Sequence, residues 1–259
     1  VPKLATFNIN GIKARLPRLL EWLAEADPDI VCLQEIKSID DNFPRLEIEE
    51  LGYHVETHGQ KAFNGVGILS KSKPTSVMRG LPGDDSDEQA RFICAEIDGF
   101  FIGGLYLPNG NPCPGPKYDY KLAWMERFHR FAEERLAEEK PVILTGDYNV
   151  IPQAEDAYDP ADWIDDALYR LETRKTFRRF AHLGYTDALR TVQPIGEAFT
   201  FWDYQRGAWQ KDHGIRIDHI MMSPLAADRL ENAGVDRKAR GKEKSSDHTP
   251  VWATFRPYS

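Results

Sequence analysis

Three apolar runs in this chain each stop at a polar group able to do chemistry. Leu4-Ala5-Thr6-Phe7 ends in Asn8-Ile9-Asn10-Gly11, Ile30-Val31-Cys32-Leu33 in Gln34-Glu35, and Val142-Ile143-Leu144 in Gly146-Asp147-Tyr148-Asn149. A fourth group, Asp247-His248, stands just before the apolar run Val251-Trp252-Ala253-Thr254-Phe255. Glu35, Asp147, Asn149 and Asp247 form an all-oxygen ligand set without cysteine, which suits Mg²⁺ or Mn²⁺ and not zinc. Hard cations of this kind point to phosphate chemistry. In-line displacement at phosphorus needs a cation on the phosphate oxygens, a group that orients or deprotonates water, and donors for the transition state. Asp218, at the end of Ile215-Arg216-Ile217-Asp218, is the expected partner of His248, because a carboxylate beside a histidine fixes its tautomer and holds its charge. The other six histidines read as surface or satisfied core positions.

These groups meet only if the elements carrying them bring their ends together. Strands are expected near residues 3–9, 29–34, 53–58, 65–70, 91–97, 100–106, 141–146, 215–222 and 249–255, from short apolar or alternating runs bounded by turn residues. Helical spacing is clearest at 13–26 and at 117–139. If the first, second and seventh strands are parallel neighbours, Asn8, Glu35, Asp147 and Asn149 gather at one C-terminal sheet edge, where function in open α/β sheets collects. A last strand antiparallel to them returns Asp247-His248 to the same edge. Taken singly, Asn-x-Asn-Gly and Gly-Asp-x-Asn are also good turns. The mixture of hairpin-length gaps with one strand–helix–strand stretch predicts a mixed-sheet, layered α/β sandwich.

The chain has 259 residues, 41% hydrophobic and 11% aromatic, enough for a sizeable core in one continuous unit over residues 1–259. No window approaches the roughly 18 apolar residues of a membrane span, and no leader pattern opens the chain. Three widely spaced cysteines, Cys32, Cys94 and Cys113, argue against a disulfide framework and suit a reducing cytoplasm. A net charge of −8 runs against non-specific nucleic-acid binding. Charge is uneven, however: residues 170–179 and 237–244 each hold five basic residues against one acidic. Either segment could track a phosphate backbone or be a solvated face.

Beyond these residues, the chain resembles the exonuclease III family of bacterial AP endonucleases, within the endonuclease, exonuclease and phosphatase superfamily. The motifs Asn8-Ile9-Asn10-Gly11, Leu33-Gln34-Glu35-Ile36-Lys37, Gly65-Val66-Gly67-Ile68-Leu69-Ser70-Lys71, Tyr106-Leu107-Pro108-Asn109-Gly110, Gly146-Asp147-Tyr148-Asn149, Arg216-Ile217-Asp218 and Ser246-Asp247-His248-Thr249-Pro250-Val251 occur in family order from end to end. The resemblance implies a four-layer α/β sandwich of two mixed β-sheets flanked by helices, with Glu35 binding the divalent cation helped by Asp247, and Asn8, Asp147 and Asn149 beside it. It implies that Asp147 positions or activates water, that Asn149 holds the water and a phosphate oxygen, and that Asn8 hydrogen-bonds within the cluster. Tyr106 is the implied phenol at the phosphate or leaving group, and His248, oriented by Asp218, the cationic phosphate ligand.

Phe201, Trp202, Ile215 and Ile217 are implied to line an apolar pocket for a flipped-out, base-less sugar. Lys242 and Lys244, from the basic segment 237–244, and Arg91 are expected DNA contacts. The expected activity is hydrolysis 5′ to abasic sites with 3′–5′ exonuclease trimming on double-stranded DNA, by a monomer. The alternative is a small-molecule or lipid phosphodiesterase of the same fold, against which Tyr106 stands, since those relatives carry a histidine in that motif.

Overall fold

Alternation of side chains along each strand decides the layers of this molecule. A computed structural model describes residues 2–257; the first residue and the last two of the expected 1–259 unit lie outside the described residues. In chain order the elements begin β1 (Lys3–Asn8), α1 (Ile12–Ala26), β2 (Ile30–Gln34), α2 (Arg45–Glu49), β3 (His54–His58), β4 (Val66–Ser70), β5 (Thr75–Arg79), β6 (Phe92–Ile97) and β7 (Phe100–Tyr106). They continue with α3 (Pro116–Ala137), β8 (Val142–Asp147), α4 (Leu171–His182), β9 (Thr186–Asp187), α5 (Ala188–Val192), α6 (Ala208–Lys211), β10 (Asp218–Met222), α7 (Pro224–Ala227), β11 (Leu230–Val235) and β12 (Val251–Phe255).

Two six-stranded sheets result, in the orders β11-β12-β1-β2-β4-β3 and β5-β6-β7-β8-β10-β9. Each contains one parallel pair, β1 with β2 and β7 with β8, among antiparallel ones. Leu4, Cys32 and Ile68 of the first sheet face Ile93, Ile102, Ile143 and Ile220 of the second, and form the central core. The intervening residues point the other way. Ala5, Phe7, Val31 and Leu33 lie under Ile12, Leu19, Trp22 and Leu23 of α1. Phe92, Leu105 and Leu144 on the second sheet's outer face lie under Trp124, Phe128 and Phe131 of α3 and Phe177 and Phe180 of α4. The fold is therefore the expected four-layer α/β sandwich of two mixed sheets flanked by helices. No helix among the described residues is long and apolar enough to cross a membrane.

Several details depart from the expectation. β8 is not a neighbour of β1 and β2: it lies in the other sheet, beside β7 and β10. The run at 215–222 becomes a strand only from Asp218, because Ile215 instead bridges Ala157 and Phe201. Three edge or short strands, β5, β9 and β11, carry too few apolar residues to show in the sequence. The basic segment 170–179 falls on α4, which buries Thr173, Phe177 and Phe180 and turns its basic residues outward.

Gly146 marks how tightly β7 and β8 pair next to Asp147. A Cβ at Gly146 would stand 1.9 Å from the Leu105 carbonyl oxygen, a backbone atom of the neighbouring strand. Gly146→Ala is predicted to lower unfolding free energy by about 3 kcal/mol or more. Urea denaturation checks it, and a variant within about 0.5 kcal/mol of the parent would contradict this account of the strand pairing.

Candidate active site

The two sheets meet at one end, and there the ends of strands from both bring their polar groups together. Asn8 is the last residue of β1, and Glu35 follows β2, which runs parallel to β1 in register Asn8 to Gln34. Asp147 ends β8, and antiparallel β10 places Asp218 directly opposite it. β12 runs antiparallel to β1, so the segment before it, with His248, returns to the same end. The expected gathering therefore forms across two sheets and not along one edge.

The Asn8 amide spans the junction. Its Nδ2 donates to Glu35 Oε1 at 2.9 Å and to Asp147 Oδ2 at 2.9 Å, and its Oδ1 accepts from Asn10 N–H. Ser246 Oγ donates to the Asn8 carbonyl at 2.6 Å, tying the segment before β12 to β1. His248 Nδ1 lies 2.8 Å from Asp218 Oδ2, and His248 Nε2 lies 3.6 Å from Asp147 Oδ2. Thr200 Oγ1 donates to the same Asp218 oxygen at 2.7 Å. Asn149 sits in the left-handed region at φ 46°, which asparagine tolerates. Its N–H donates to Asp147 Oδ1, and its amide to the Leu107 carbonyl.

Burial sets the electrostatics. Asp147 and Asp218 are each 1% exposed and His248 is 4%. Burial opposes the His248 imidazolium, but Asp218 and then Asp147 outweigh it and push its pKa well above the usual histidine range. Burial lifts the Asp147 carboxyl to about 7, with Asp218 and Glu35 adding to the rise and His248 opposing it. For Glu35, burial is outweighed by the Asn8 hydrogen bond, His248, Lys37 and the Tyr106 phenol, which hold its carboxyl below the usual value. Tyr106 is raised well above 10 by burial and by Glu35 and Asp147, so its phenol stays a donor.

Glu35, Asp147 and His248 offer ligand atoms all within 4.8 Å of one another. Two carboxylates that close, with Asp218 behind them, leave an excess of negative charge that a divalent cation would offset, and the oxygens of Glu35 and Asp147 fit such an ion, whereas His248, held protonated, has no lone pair to offer it. Asp247 stands outside that group. It is half-buried beside His248, with its backbone carbonyl accepting from Trp202 N–H and its Oδ1 accepting from Ser246 Oγ at 3.4 Å.

Ile215, Ile217 and Phe201 share one apolar cluster with Ile151, Ala157, Leu168, Tyr169 and Trp163, and the Phe201 ring lies 5.0 Å from that of His248. Trp202 does not join them. It points away from Phe201 and packs instead with Phe199, Ala208 and Trp209, its indole N–H donating to Asp212. Arg91 lies over the Tyr106 ring at 4.9 Å and donates to the Tyr106 carbonyl at 3.1 Å, at the margin of the cluster. Lys242 is ion-paired to Glu21 at 2.7 Å and Glu25 at 3.4 Å on α1, and Lys244 is exposed. His219 is a satisfied core histidine between the Arg216 guanidinium and the Val150 carbonyl.

Sequence reasoning missed Thr200 and Ser246 as contributors. Ser246 stood inside a recognised motif, but Thr200 lay in a segment with no signal beyond the adjacent Phe201.

The charge on His248 makes the stability of the fold depend on pH. Because its folded pKa is raised, the stability it adds is complete below about pH 6.5 and fades as pH rises through the folded value. In metal-free protein at pH 7.5, the His248 imidazole is predicted to be doubly protonated by ¹⁵N NMR, and Asp218→Asn to return its titration toward 6.5. A neutral His248 in the parent protein would contradict the pairing.

The chain matches the family model described as "Endonuclease/Exonuclease/phosphatase family" over residues 5–248. It is 34% identical to the exodeoxyribonuclease III of Haemophilus influenzae, across 98% of this chain and 100% of that protein. Its fold is similar to that of an AP endonuclease from Archaeoglobus fulgidus, with a TM-score of 0.95 and 36% identity, covering 98% of this chain and 99% of that one. It is equally similar to the 3′ phosphatase NExo from Neisseria bound to a product DNA hairpin, with a TM-score of 0.96 and 37% identity over 99% and 100% of the two chains. A sandwich whose two sheets close on one carboxylate–histidine cluster, matched end to end by these proteins, places the chain in the endonuclease/exonuclease/phosphatase family.

Proposed function

We propose that this chain is a divalent-metal-dependent DNA-repair nuclease that hydrolyses the phosphodiester 5′ to an abasic site and trims 3′ ends of duplex DNA. The observation that carries this reading is the cluster itself: Asn8, Glu35, Asp147, Asp218 and His248, joined by hydrogen bonds and ion pairs at the mouth of the sandwich. The half-buried Phe201 ring stands against His248 with Ile215 and Ile217 packed behind it, and an apolar surface at that point would suit a deoxyribose without its base. The similar exodeoxyribonuclease III and AP endonuclease support the same substrate class.

Glu35, with Asp147 and Asn8 beside it, would hold Mg²⁺ or Mn²⁺, and when bound that ion supplies positive charge to the phosphate oxygens. Asp147 is the group that orients the attacking water and takes its proton, since burial and its acidic neighbours raise its affinity for a proton. Asn149, fixed in its turn by Asp147 and Leu107, presents a polar group to the water and a phosphate oxygen. His248, held charged by Asp218, grips a second phosphate oxygen as negative charge builds there. Tyr106 stays protonated and donates toward the phosphate or the departing 3′ oxygen. Water adds to phosphorus, the bond to the 3′ oxygen breaks, and that oxygen leaves as a 3′-hydroxyl. Every residue named here belongs to one chain, so the reading needs no second copy, and we take the active species to be a monomer.

An end-labelled duplex with one abasic-site analogue tests this. A single Mg²⁺-dependent cut 5′ to the lesion is expected, abolished by EDTA and slowed about 10³-fold or more by Glu35→Ala and by Asp147→Ala. No cleavage by folded, metal-loaded protein would overturn the proposal, and turnover confined to small phosphodiesters would replace it with the small-molecule reading.

A further inference from the structure

One cation of the core takes no part in the chemistry so far described. Lys121 lies in the second turn of α3 and is fully buried, at 0% exposure. Its Nζ donates to the Asn149 carbonyl at 2.6 Å and to the Asn109 carbonyl at 3.1 Å. Those acceptors belong to two different loops, one following Asp147 at the end of β8, the other following Tyr106 at the end of β7. A second stitch joins the same loops, the Asn149 amide donating to the Leu107 carbonyl at 2.8 Å. The surroundings are shaped to admit the lysine. Gly110 has φ +89°, and a Cβ there would stand 2.6 Å from Lys121 Cδ and 3.1 Å from Ala167 Cβ. Glycine at this point of Pro108-Asn109-Gly110 is thus required both by the turn and by the passing lysine stem.

A fully buried lysine is costly to the fold unless its donors are used. Burial pulls its pKa down to about 7, against Asp147 and Asp166, which oppose the fall. Charged or neutral, the amine has an N–H for each of the two carbonyls, so its hold on the loops does not depend on its charge. Asn149 occupies a left-handed turn in which backbone and side chain are set together, and its carbonyl is the atom that Lys121 grips.

We propose that Lys121 is a positioning residue of the nuclease site, aiming the Asn149 side chain by fixing the Asn149 carbonyl and locking the loop after β8 to the loop that carries on from Tyr106. This rests on the proposed role of Asn149 in phosphodiester hydrolysis. Small displacements of a positioned group are expensive in rate, so the effect falls on turnover and not on DNA binding.

The test is a double-mutant cycle with Lys121→Met, which keeps most of the volume and removes both donors. The parent, Lys121→Met, Asn149→Ala and the double variant are compared by kcat and KM on the abasic duplex and by thermal unfolding. Lys121→Met is expected to lower kcat about 30-fold or more with KM within about 3-fold. In the Asn149→Ala background the same change is expected to lower kcat by less than about 3-fold, because the group being aimed is already gone. Equal losses in both backgrounds, or parental turnover by Lys121→Met, would overturn the proposal. Should Lys121→Met fail to fold, Lys121→Gln is put through the same cycle; failure of both to fold would assign the lysine to the core alone and equally overturn it. An inactive parent protein would count against the nuclease reading and not against the link between Lys121 and Asn149, which a crystal structure of Lys121→Met would then read directly as a shifted or unshifted Asn149 turn.

Discussion

Buried like charge is the constraint on which this structure depends. Asp147 and Asp218 are almost wholly buried and face each other across β8 and β10, while the Glu35 side chain, at 19% exposure, closes in from the other sheet. Unpaired, each such carboxylate would cost several kcal/mol in desolvation. The fold answers with a small set of donors: Asn8 between Glu35 and Asp147, Thr200 and His248 on Asp218, and the Asn149 N–H on Asp147. Because Asn8 belongs to one sheet and Asp147 to the other, the same hydrogen bonds that make the carboxylates tolerable also fix the relative position of the two sheets at this end. The contacts that assemble the site are thus also contacts between the two sheets.

The charge distribution follows a similar economy. The acidic balance of −8 does not leave the basic residues idle as a DNA-facing field. Lys242 is bound to Glu21 and Glu25, Arg179 to Glu126, and Arg237 to Asp212, while Arg174 lies over Tyr169. Part of the positive charge in segments 170–179 and 237–244 thus joins α4 to α3 and the loop before β12 to α1. In the proposed reaction, phosphate recognition at the scissile bond would fall to His248 and to the cation that Glu35 and Asp147 would hold.

Much of this was legible in the sequence where local chemistry and local structure coincide. The ends of β1, β2 and β8 were visible because each apolar run stops at a polar residue, and His248 stood out through its place before β12. Sheet membership was not legible. A run such as Val142–Leu144 is equally apolar on both faces whether its neighbours are β1 and β2 or β7 and β10, since either position buries both faces. Trp202 was placed beside Phe201 by the resemblance of the aromatic segment, whereas in this chain the two neighbouring side chains pack into separate clusters. The short edge strands β5 and β11 are held by pairing with β6 and β12 and not by their own composition. Lys121 was hidden inside a helical apolar face, where a lysine ordinarily reads as a solvent-facing position, and the carbonyls it meets come from loops remote in sequence.

The central claim is that Glu35 and Asp147, brought from separate sheets onto one asparagine amide, form a cation site. A crystal of the protein soaked in Mn²⁺ and measured at the manganese absorption edge tests it directly. The account predicts an anomalous peak within coordination distance of a Glu35 carboxylate oxygen, beside Asp147 and Asn8, that disappears in Glu35→Ala. A peak held by other residues alone, or a fully soaked crystal with none at this junction, would contradict it.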